Sequence, residues 1–209
     1  MAELVETMRL VELTCARLCH DLGGLIGTAS NALEMVAEDA DRGNEVVAFA
    51  VSATRALTQR LRLMRAAWGP DSEVLSLSTF VDLAAPPLAV RRVGLDTRIL
   101  PPDSVFSPPL GRVLLNLILL ACDCMPKGGT IVVMGEPADL LIRIDGPEAA
   151  WPPGFTACMG NEAAALAALS GARAVQMPLT ALLALSRELR LSPVLGPGSG
   201  IQAVRLIAR

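Results

Sequence analysis

Apolar or small residues recur along the first 36 residues with alternating spacings of four and three. The positions are Leu4, Met8, Val11, Cys15, Leu18, Leu22, Leu25, Ala29, Ala32 and Val36. A seam of this kind is typical of a long helix that packs against other helices, and it predicts a helix over about residues 3–39. A second seam predicts another helix over residues 47–68, which Gly69 and Pro70 end. Because the polar segment 39–44 is short, the helices should form an antiparallel hairpin over residues 1–69.

The predicted hairpin carries more apolar surface than its own two helices can cover. Its second helix has another apolar line, through Phe49, Ala53, Ala56 and Leu63. A lone two-helix hairpin has too small a core to be stable by itself. We therefore predict that two copies pair as a homodimer, in which the four helices form a four-helix bundle.

After Pro70 the pattern changes to shorter apolar runs separated by glycine and proline. These runs predict strands over residues 73–78, 95–100, 130–134, 140–145, 191–195 and 201–207. Longer segments predict helices over residues 79–90, interrupted by Pro86 and Pro87, and over 108–125, 162–169 and 175–190. Residues 72–209 should therefore form one α/β sandwich, which places the chain in the α+β class.

The composition argues against several classes of partner. The net charge of −3, the pI near 5.2 and the 3% of aromatic residues weigh against nucleic acid. The first residues lack the basic start and apolar core of a signal peptide. The longest apolar run, residues 113–122, is broken by Asn116 and is too short to span a bilayer. We therefore expect a soluble cytoplasmic protein with no membrane partner.

The cysteines favour reduced thiols, because their number is odd and no pair has the CxxC spacing. They are Cys15, Cys19, Cys122, Cys124 and Cys158. Cys15, Cys19 and His20 are close in sequence, but the heptad places Cys15 on the seam, Cys19 beside it and His20 outside it. Since these side chains do not converge on one point, we expect no metal site.

His20, the only histidine of the 209 residues, occupies the heptad position farthest from the seam. Asp21 is adjacent, and Arg17, one turn earlier, should reach the same surface. Gly23, Gly24 and Gly27 follow within two turns, although each lowers helix stability by up to about 1 kcal/mol relative to alanine. Small residues there would let a bulky partner approach the imidazole closely.

This arrangement suits phosphoryl transfer through a histidine. A neutral imidazole is nucleophilic near neutral pH and can attack phosphorus in line. Asp21 would fix the tautomer and stabilise the developing charge, and Arg17 would steady the phosphoryl oxygens. An equally simple alternative stays open: His20 is a solvated surface residue between two ordinary charges, and the glycines merely allow close helix packing.

Three parts of the chain resemble known sequences. Residues 17–34, RLCHDLGGLIGTASNALE, resemble the phosphoacceptor helix of histidine kinases and, more specifically, of the ChpT-type histidine phosphotransferases of alphaproteobacteria. Residues 112–121, RVLLNLILLA, followed by PKGG at 126–129, resemble the N-box helix and the next turn of a histidine-kinase ATPase domain. Residues 173–176 and 182–184 are similar to a late helix of the same phosphotransferases. The order implies a dimerisation hairpin followed by an ATPase-like sandwich.

The resemblance implies that His20 is a phosphoacceptor in a two-component phosphorelay. It would take a phosphoryl group from the receiver aspartate of a hybrid histidine kinase (CckA-like) and pass it to the aspartate of a response regulator (CtrA-like). The partner receiver domain would carry Mg²⁺, and this chain would bind no cofactor stably. The catalytic residues would be His20, Asp21 and Arg17. The docking surface would comprise Gly23, Gly24, Gly27, Thr28 and Asn31.

Departures from the kinase pattern imply that the sandwich is a degenerate ATPase fold without ATP binding. Leu120 stands where a kinase has the asparagine that holds magnesium. The sequence after Asp145 lacks the glycine spacing of an adenine-binding loop, and residues 175–179 replace a second glycine-rich motif. Without those glycines, the backbone cannot wrap a triphosphate. Residues 196–200 come too late to replace them and predict a turn between strands.

Two further departures lie close to His20. Leu25 replaces a common proline, so the first helix should be straighter there. Gly24 replaces the threonine or asparagine that positions water in kinases, which implies weak phosphatase activity toward a response regulator. Two alternative functions stay open, namely a histidine kinase fragment that uses ATP and a non-catalytic helical dimerisation adaptor in which His20 is incidental.

Overall fold

The computed structural model describes residues 2–38, 43–70, 73–196 and 200–208. Two long helices, α1 (Ala2–Glu38) and α2 (Gly43–Trp68), form the predicted antiparallel hairpin. Helix α1 continues without a break through Leu25, as expected from the missing proline. Most of the predicted turn at residues 39–44 lies outside the described residues.

The hairpin buries only part of its apolar surface within one chain. Ala32, Ala50 and Met64 are buried, and they belong to the two predicted seams. Helix α1 has 37 residues and α2 has 26, so the first turns of α1 extend beyond the end of α2. Leu4, Val5, Met8 and Val11 on these turns are 50–65% exposed.

The remaining elements form a mixed five-stranded sheet covered by helices, together with a separate two-stranded sheet. In chain order they are β1 (Leu75–Ser76), α3 (Leu77–Ala89), β2 (Val93–Asp96), β3 (Val105–Phe106), α4 (Pro108–Asp123), β4 (Gly129–Glu136), β5 (Asp139–Asp145), α5 (Phe155–Cys158), α6 (Glu162–Ala167), α7 (Gln176–Ser186), β6 (Arg190–Leu195) and β7 (Ile201–Ile207). The large sheet has the order β2-β4-β5-β7-β6, and only the β2–β4 pair is parallel. A helical hairpin followed by an α/β sandwich is the predicted α+β class.

Helix α4 forms the centre of the core. Its residues from Val113 to Cys122 are all buried, because α4 packs against helices on more than one side. Leu63 and Ala67 of α2 are fully buried in this same cluster of apolar side chains. The last turns of the hairpin are therefore part of the core of the sandwich.

A neutral polar cluster also joins α2 to the sandwich. The Asn116 side chain donates from Nδ2 to the Ala67 carbonyl at 2.7 Å, and its Oδ1 accepts from Gln176 Nε2 at 2.9 Å. Thr180 lies in the same buried group, 3.2 Å from Gln176 Nε2. Arg112 donates to the carbonyls of Ala67 and Trp68. These donors satisfy carbonyl groups that the end of a helix otherwise leaves unpaired. We call Asn116, Gln176, Thr180 and the Ala67 carbonyl the Asn116 cluster.

Several predicted boundaries in the sandwich are wrong. Helix α3 begins at Leu77, where Ser76 caps it, so the strand expected over residues 73–78 is reduced to β1. Pro86 and Pro87 lie inside the end of α3 and do not interrupt it, because Pro87 is buried against the core. The strand expected over residues 95–100 is instead β2, since pairing with β4 selects Val93–Asp96. Strand β3 and helix α5 were not predicted.

The other predicted elements are confirmed with small shifts at their ends. They include α4, the β4–β5 hairpin, α6, α7 and the closing strands β6 and β7. Gly196 donates its N–H to the Gly200 carbonyl between those closing strands, and residues 197–199 lie outside the described residues. No helix in the described ranges is both long and apolar enough to cross a membrane.

Candidate functional site

His20 lies near the middle of α1 with 57% of its side chain exposed, as the heptad predicts. Its Nδ1 atom is 3.2 Å from Asp21 Oδ1. Within the described part of the chain, Nε2 has no hydrogen-bond partner. One side of the ring is therefore held by a carboxylate, and the other nitrogen is accessible.

Asp21 is an anion with 12% of its side chain exposed, and it lies between three donors. Its Oδ2 accepts from Arg17 Nε at 2.9 Å and from Arg60 Nη2 at 2.7 Å, while Oδ1 faces His20. Burial opposes ionisation of Asp21, but the hydrogen bonds from Arg17 and Arg60 outweigh it, so its pKa lies below the ordinary value. An ionised carboxylate at Nδ1 favours the neutral tautomer that carries the proton on Nδ1, which leaves Nε2 with its lone pair.

Arg17 does not share the exposed surface of His20, and that expectation is wrong. Its side chain is only 7% exposed, because the sandwich packs on this side of α1. Besides Asp21, the guanidinium donates from Nη2 to Asp123 Oδ2 at 2.9 Å and from Nη1 to the Arg173 carbonyl at 3.2 Å. Burial lowers the pKa of Arg17, but the interactions with Asp123 and Asp21 raise it by more than burial lowers it. The pKa of Arg17 therefore lies above its ordinary value, and the group is a cation. Each of its three nitrogens is already engaged.

These contacts belong to an alternating chain of charges between the hairpin and the sandwich. Arg91, just after α3, donates from Nη1 to Asp123 Oδ1 at 2.8 Å. In space these side chains form a row in which positive and negative charges alternate, and we call this row the ionic chain. Its members, in order, are Arg60, Asp21, Arg17, Asp123 and Arg91. It contains three cations and two anions, so its net charge is positive by one.

A groove opens beside His20 where α1, α2 and the end of α3 meet. Its volume is about 370 Å³, and it is lined by His20, Asp21, Gly24, Leu25, Thr28, Ala56, Arg60, Pro87, Val90 and Arg91. Val90 is 62% exposed at its rim. Of the predicted docking residues, Gly24 and Thr28 line the groove, whereas Gly23, Gly27 and Asn31 are exposed outside its lining.

The three glycines near His20 are not required by packing within one chain. A Cβ atom built on Gly23, Gly24 or Gly27 would meet nothing within 4 Å. Close packing of α1 against α2 therefore does not account for them. Together they leave the backbone of α1 next to His20 uncovered by side chains. We call Gly23, Gly24 and Gly27 the glycine strip.

The cysteines near His20 do not form a cluster with it. Cys15 and Cys19 are free and exposed, and Cys122, Cys124 and Cys158 are free and buried. Within the ranges that the structure describes, no three or more His, Cys, Asp or Glu side chains are grouped so that they could hold a metal ion.

Sequence reasoning missed four residues that the fold brings to this site. Arg60, Val90 and Arg91 line the groove, and Asp123 anchors Arg17. In an antiparallel hairpin with residue 43 beside residue 38, Arg60 and Asp21 lie at the same distance from the turn. The position of Arg60 beside Asp21 could therefore have been predicted from the sequence. The other three depend on how the sandwich packs against α1, for which the sequence offers no local signal.

By the resemblance above, Leu120 and residues 175–179 replace groups that hold nucleotide in a kinase, and a cavity of about 380 Å³ remains beside Leu120, Gln176 and Met177. Leu120 is buried, and so are Val175 and Leu179 at the start of α7. Asn116 is committed to the Asn116 cluster. Gly146 is needed for close contact with β4, because an added Cβ would lie 2.5 Å from the Gly128 carbonyl oxygen.

Comparison with known proteins gives three findings. Residues 88–196 match the sequence model of the histidine phosphotransferase C-terminal domain. Over 161 residues the chain is 25% identical to protein phosphotransferase ChpT of Brucella abortus (strain 2308), spanning 72% of this chain and 74% of that protein. A bacterial phosphotransferase solved at 1.7 Å has the same fold, with a TM-score of 0.73 and 21% identity, over 97% of this chain and 96% of that chain.

Proposed function

Because the chain belongs to the histidine phosphotransferase family, we propose that His20 relays a phosphoryl group between aspartates in a two-component phosphorelay. The donor is the phosphorylated receiver domain of a hybrid histidine kinase, and the acceptor is the receiver aspartate of a response regulator. The observation that carries the proposal is the exposed His20 ring, held at Nδ1 by an ionised Asp21 and accessible at Nε2.

The chemical step uses the lone pair of Nε2. This nitrogen attacks the phosphorus of the donor phosphoaspartate, so an N–P bond forms as the P–O bond breaks and the aspartate leaves as a carboxylate. The ring then carries a positive charge, which Asp21 stabilises through the Nδ1–H bond. In the second step the regulator carboxylate attacks phosphorus, and the electron pair of the N–P bond returns to Nε2. No proton has to be exchanged with solvent in either step.

Some of the groups that phosphoryl transfer requires come from this chain, and others come from the partner receiver domain. We expect the receiver domain to bring the Mg²⁺ that shields the phosphoryl oxygens, so this chain needs no bound cofactor and no ATP. The buried Leu120 and the missing glycine loops support the absence of ATP binding. Arg60 and Arg91 line the groove and add positive charge where a phosphoryl group would arrive.

The docking surface is the glycine strip of α1 together with the groove. Gly23, Gly24 and Gly27 leave the backbone exposed beside His20, and Thr28 and Asn31 continue the same surface. Val90 offers an exposed apolar contact on the sandwich side. A surface with a small apolar centre suits a transient complex, which a relay protein must release after each transfer.

We further propose that two copies form a homodimer in the cytoplasm, without nucleic-acid or membrane partners. The hairpin exposes many large apolar side chains outside the His20 groove. Those that are 40–58% exposed on the two helices are Met8, Val11, Ile26, Leu33, Met35, Val47, Phe49, Val51 and Leu61. Among them, Leu33, Val47 and Val51 line one shared apolar groove between the helices, and a four-helix bundle of two hairpins would cover a patch of this kind.

The proposal is tested with receiver domains of the hybrid kinases from the same genome, phosphorylated by their own kinase domains with ³²P-labelled ATP and then purified. Wild-type protein should take up the label and pass it to a response regulator. His20→Ala should take up none while keeping its circular dichroism spectrum and its dimer.

A separate incubation with labelled ATP alone distinguishes a relay from a kinase. Labelling of the wild type by ATP alone would show kinase activity and contradict the proposal. Equal labelling of wild type and His20→Ala by the receiver would contradict the assignment of His20. No labelling of either would favour an adaptor.

A further inference from the structure

The residue that completes the geometry around His20 lies in the sandwich, at the end of α4. Resting on the proposed function, we infer that Asp123 is a positioning residue for phosphoryl transfer, because through Arg17 it holds Asp21 with Oδ1 directed at His20 Nδ1. Asp123 does not contact His20, and apart from Asp21 no described residue of the hairpin hydrogen-bonds to the Arg17 guanidinium.

The first link is the contact between Asp123 and Arg17. Arg17 Nη2 lies 2.9 Å from Asp123 Oδ2 and 3.1 Å from Oδ1, and Nη1 donates to the Arg173 carbonyl at 3.2 Å. A guanidinium is planar, so anchoring both terminal nitrogens also sets the direction of Nε. Arg91 binds Asp123 from the other side at 2.8 Å and fixes the carboxylate itself.

The second link runs from Arg17 to Asp21. With its terminal nitrogens occupied, Arg17 offers only Nε to Asp21, and it contacts one oxygen, Oδ2, at 2.9 Å. Arg60 donates to the same oxygen at 2.7 Å. Because both arginines bind Oδ2, the planar carboxylate presents Oδ1 to His20.

Removing the charge of Asp123 would change which atoms Arg17 binds. Among the residues that the structure describes, Asp21 would then be the only carboxylate paired with the buried Arg17. Arginine and carboxylate groups prefer to pair through two parallel hydrogen bonds, so Arg17 would engage both oxygens of Asp21. Oδ1 would be drawn away from His20, and the preference for a proton on Nδ1 would be lost.

The test exploits the single histidine of the chain, which gives one set of imidazole signals in a long-range ¹H–¹⁵N spectrum. At pH 8 the wild type should show the Nδ1–H tautomer. Asp123→Asn should shift the ring toward the Nε2–H tautomer. At a saturating concentration of phosphorylated receiver, the same variant should transfer about tenfold more slowly, because the tautomer with an unprotonated Nε2 is less populated. The receiver concentration that gives half-maximal rate should be unchanged.

Two variants serve as controls and one as a second test. Asp139→Asn removes a carboxylate paired with Arg205 on the sheet, away from His20, and should change neither the tautomer nor the rate. Asp123→Glu keeps the charge and should restore most of both. If Asp123→Asn does not fold, Arg17→Lys tests the same claim, since one ammonium group cannot hold both carboxylates in this geometry.

The outcomes separate this inference from the proposed function. An unchanged tautomer in Asp123→Asn and Arg17→Lys overturns the inference, even if transfer is slower, since slower transfer alone would show a structural role. A shifted tautomer with slower transfer supports it. If the wild type takes up no label, the proposed function fails, while the tautomer comparison still decides whether Asp123 positions His20.

Discussion

Two polar clusters join the hairpin to the sandwich, and they differ in charge and in access to solvent. The Asn116 cluster is neutral and completely buried, and its hydrogen bonds end on the Ala67 carbonyl. The ionic chain is charged and runs to the surface, from buried Arg17 to Arg91, whose side chain is 42% exposed. His20 lies beside the second cluster only.

The difference indicates that the Asn116 cluster mainly stabilises the fold, whereas the ionic chain mainly positions groups beside the reactive histidine. The donors of the neutral Asn116 cluster are paired and only Gln176 Oε1, among its described side-chain atoms, lacks a partner, so burying the cluster costs less than burying charges and suits a permanent contact between the two parts. Buried ion pairs add less to stability, because desolvation offsets most of their attraction. We therefore infer that the main role of the ionic chain is to fix Asp21 beside His20. It contributes less to holding the hairpin against the sandwich.

The largest effect on stability should come from Asn116→Ala. This change removes the 2.7 Å hydrogen bond to the Ala67 carbonyl and the 2.9 Å hydrogen bond from Gln176 Nε2, which keep only longer hydrogen bonds, to Arg112 and to Thr180 and the backbone carbonyl of residue 116. We therefore expect unfolding to cost about 2–3 kcal/mol less. Transfer per folded molecule should be unchanged. Urea unfolding measures the loss, and Asn161→Ala, which removes the exposed cap of α6, is the control, with an expected loss of about 1 kcal/mol. A loss no larger than that of the control would break the contrast between the clusters.

An effect of intermediate size should appear in the pH dependence of stability. The folded pKa of Asp21 is lowered, so its ionised form stabilises the fold fully above the unfolded value of about 3.9, and this stabilisation is lost as pH falls through the folded pKa. The difference in free energy of unfolding between wild type and Asp21→Asn should shrink as the pH falls below about 4. A difference that instead widens toward acid would contradict the role assigned to Arg17 and Arg60.

The smallest effect on stability should come from Gly24→Ala, and its sign is opposite. Because a Cβ at Gly24 meets nothing within 4 Å, alanine should stabilise α1 by about 0.5–1 kcal/mol. The added methyl group lies in the His20 groove, so transfer from the receiver should slow several-fold. Ser30→Ala is the control, because it changes an exposed position of the same helix outside the proposed docking surface, where alanine should stabilise the helix slightly and leave transfer unchanged. Faster or equal transfer in Gly24→Ala would show that partners do not approach this strip.

Local patterns predicted the hairpin and the exposure of His20, because a heptad fixes which face of α1 turns away from α2. The same pattern misplaced Arg17, which is exposed on an isolated hairpin but is covered once Asp123 and the Arg173 carbonyl arrive from the sandwich. Long-range packing decides such positions. Strand β2 shows the same limit, because its pairing with β4 selects residues that propensity alone did not.

The most direct test of the central claim is to locate the phosphoryl group after transfer from a labelled receiver. The account predicts one label per chain, on Nε2 of His20, in a linkage that acid hydrolyses and alkali does not. Peptide mapping by mass spectrometry together with ³¹P NMR measures both the residue and the nitrogen. A label on any other side chain, or on Nδ1 of His20, would contradict the account.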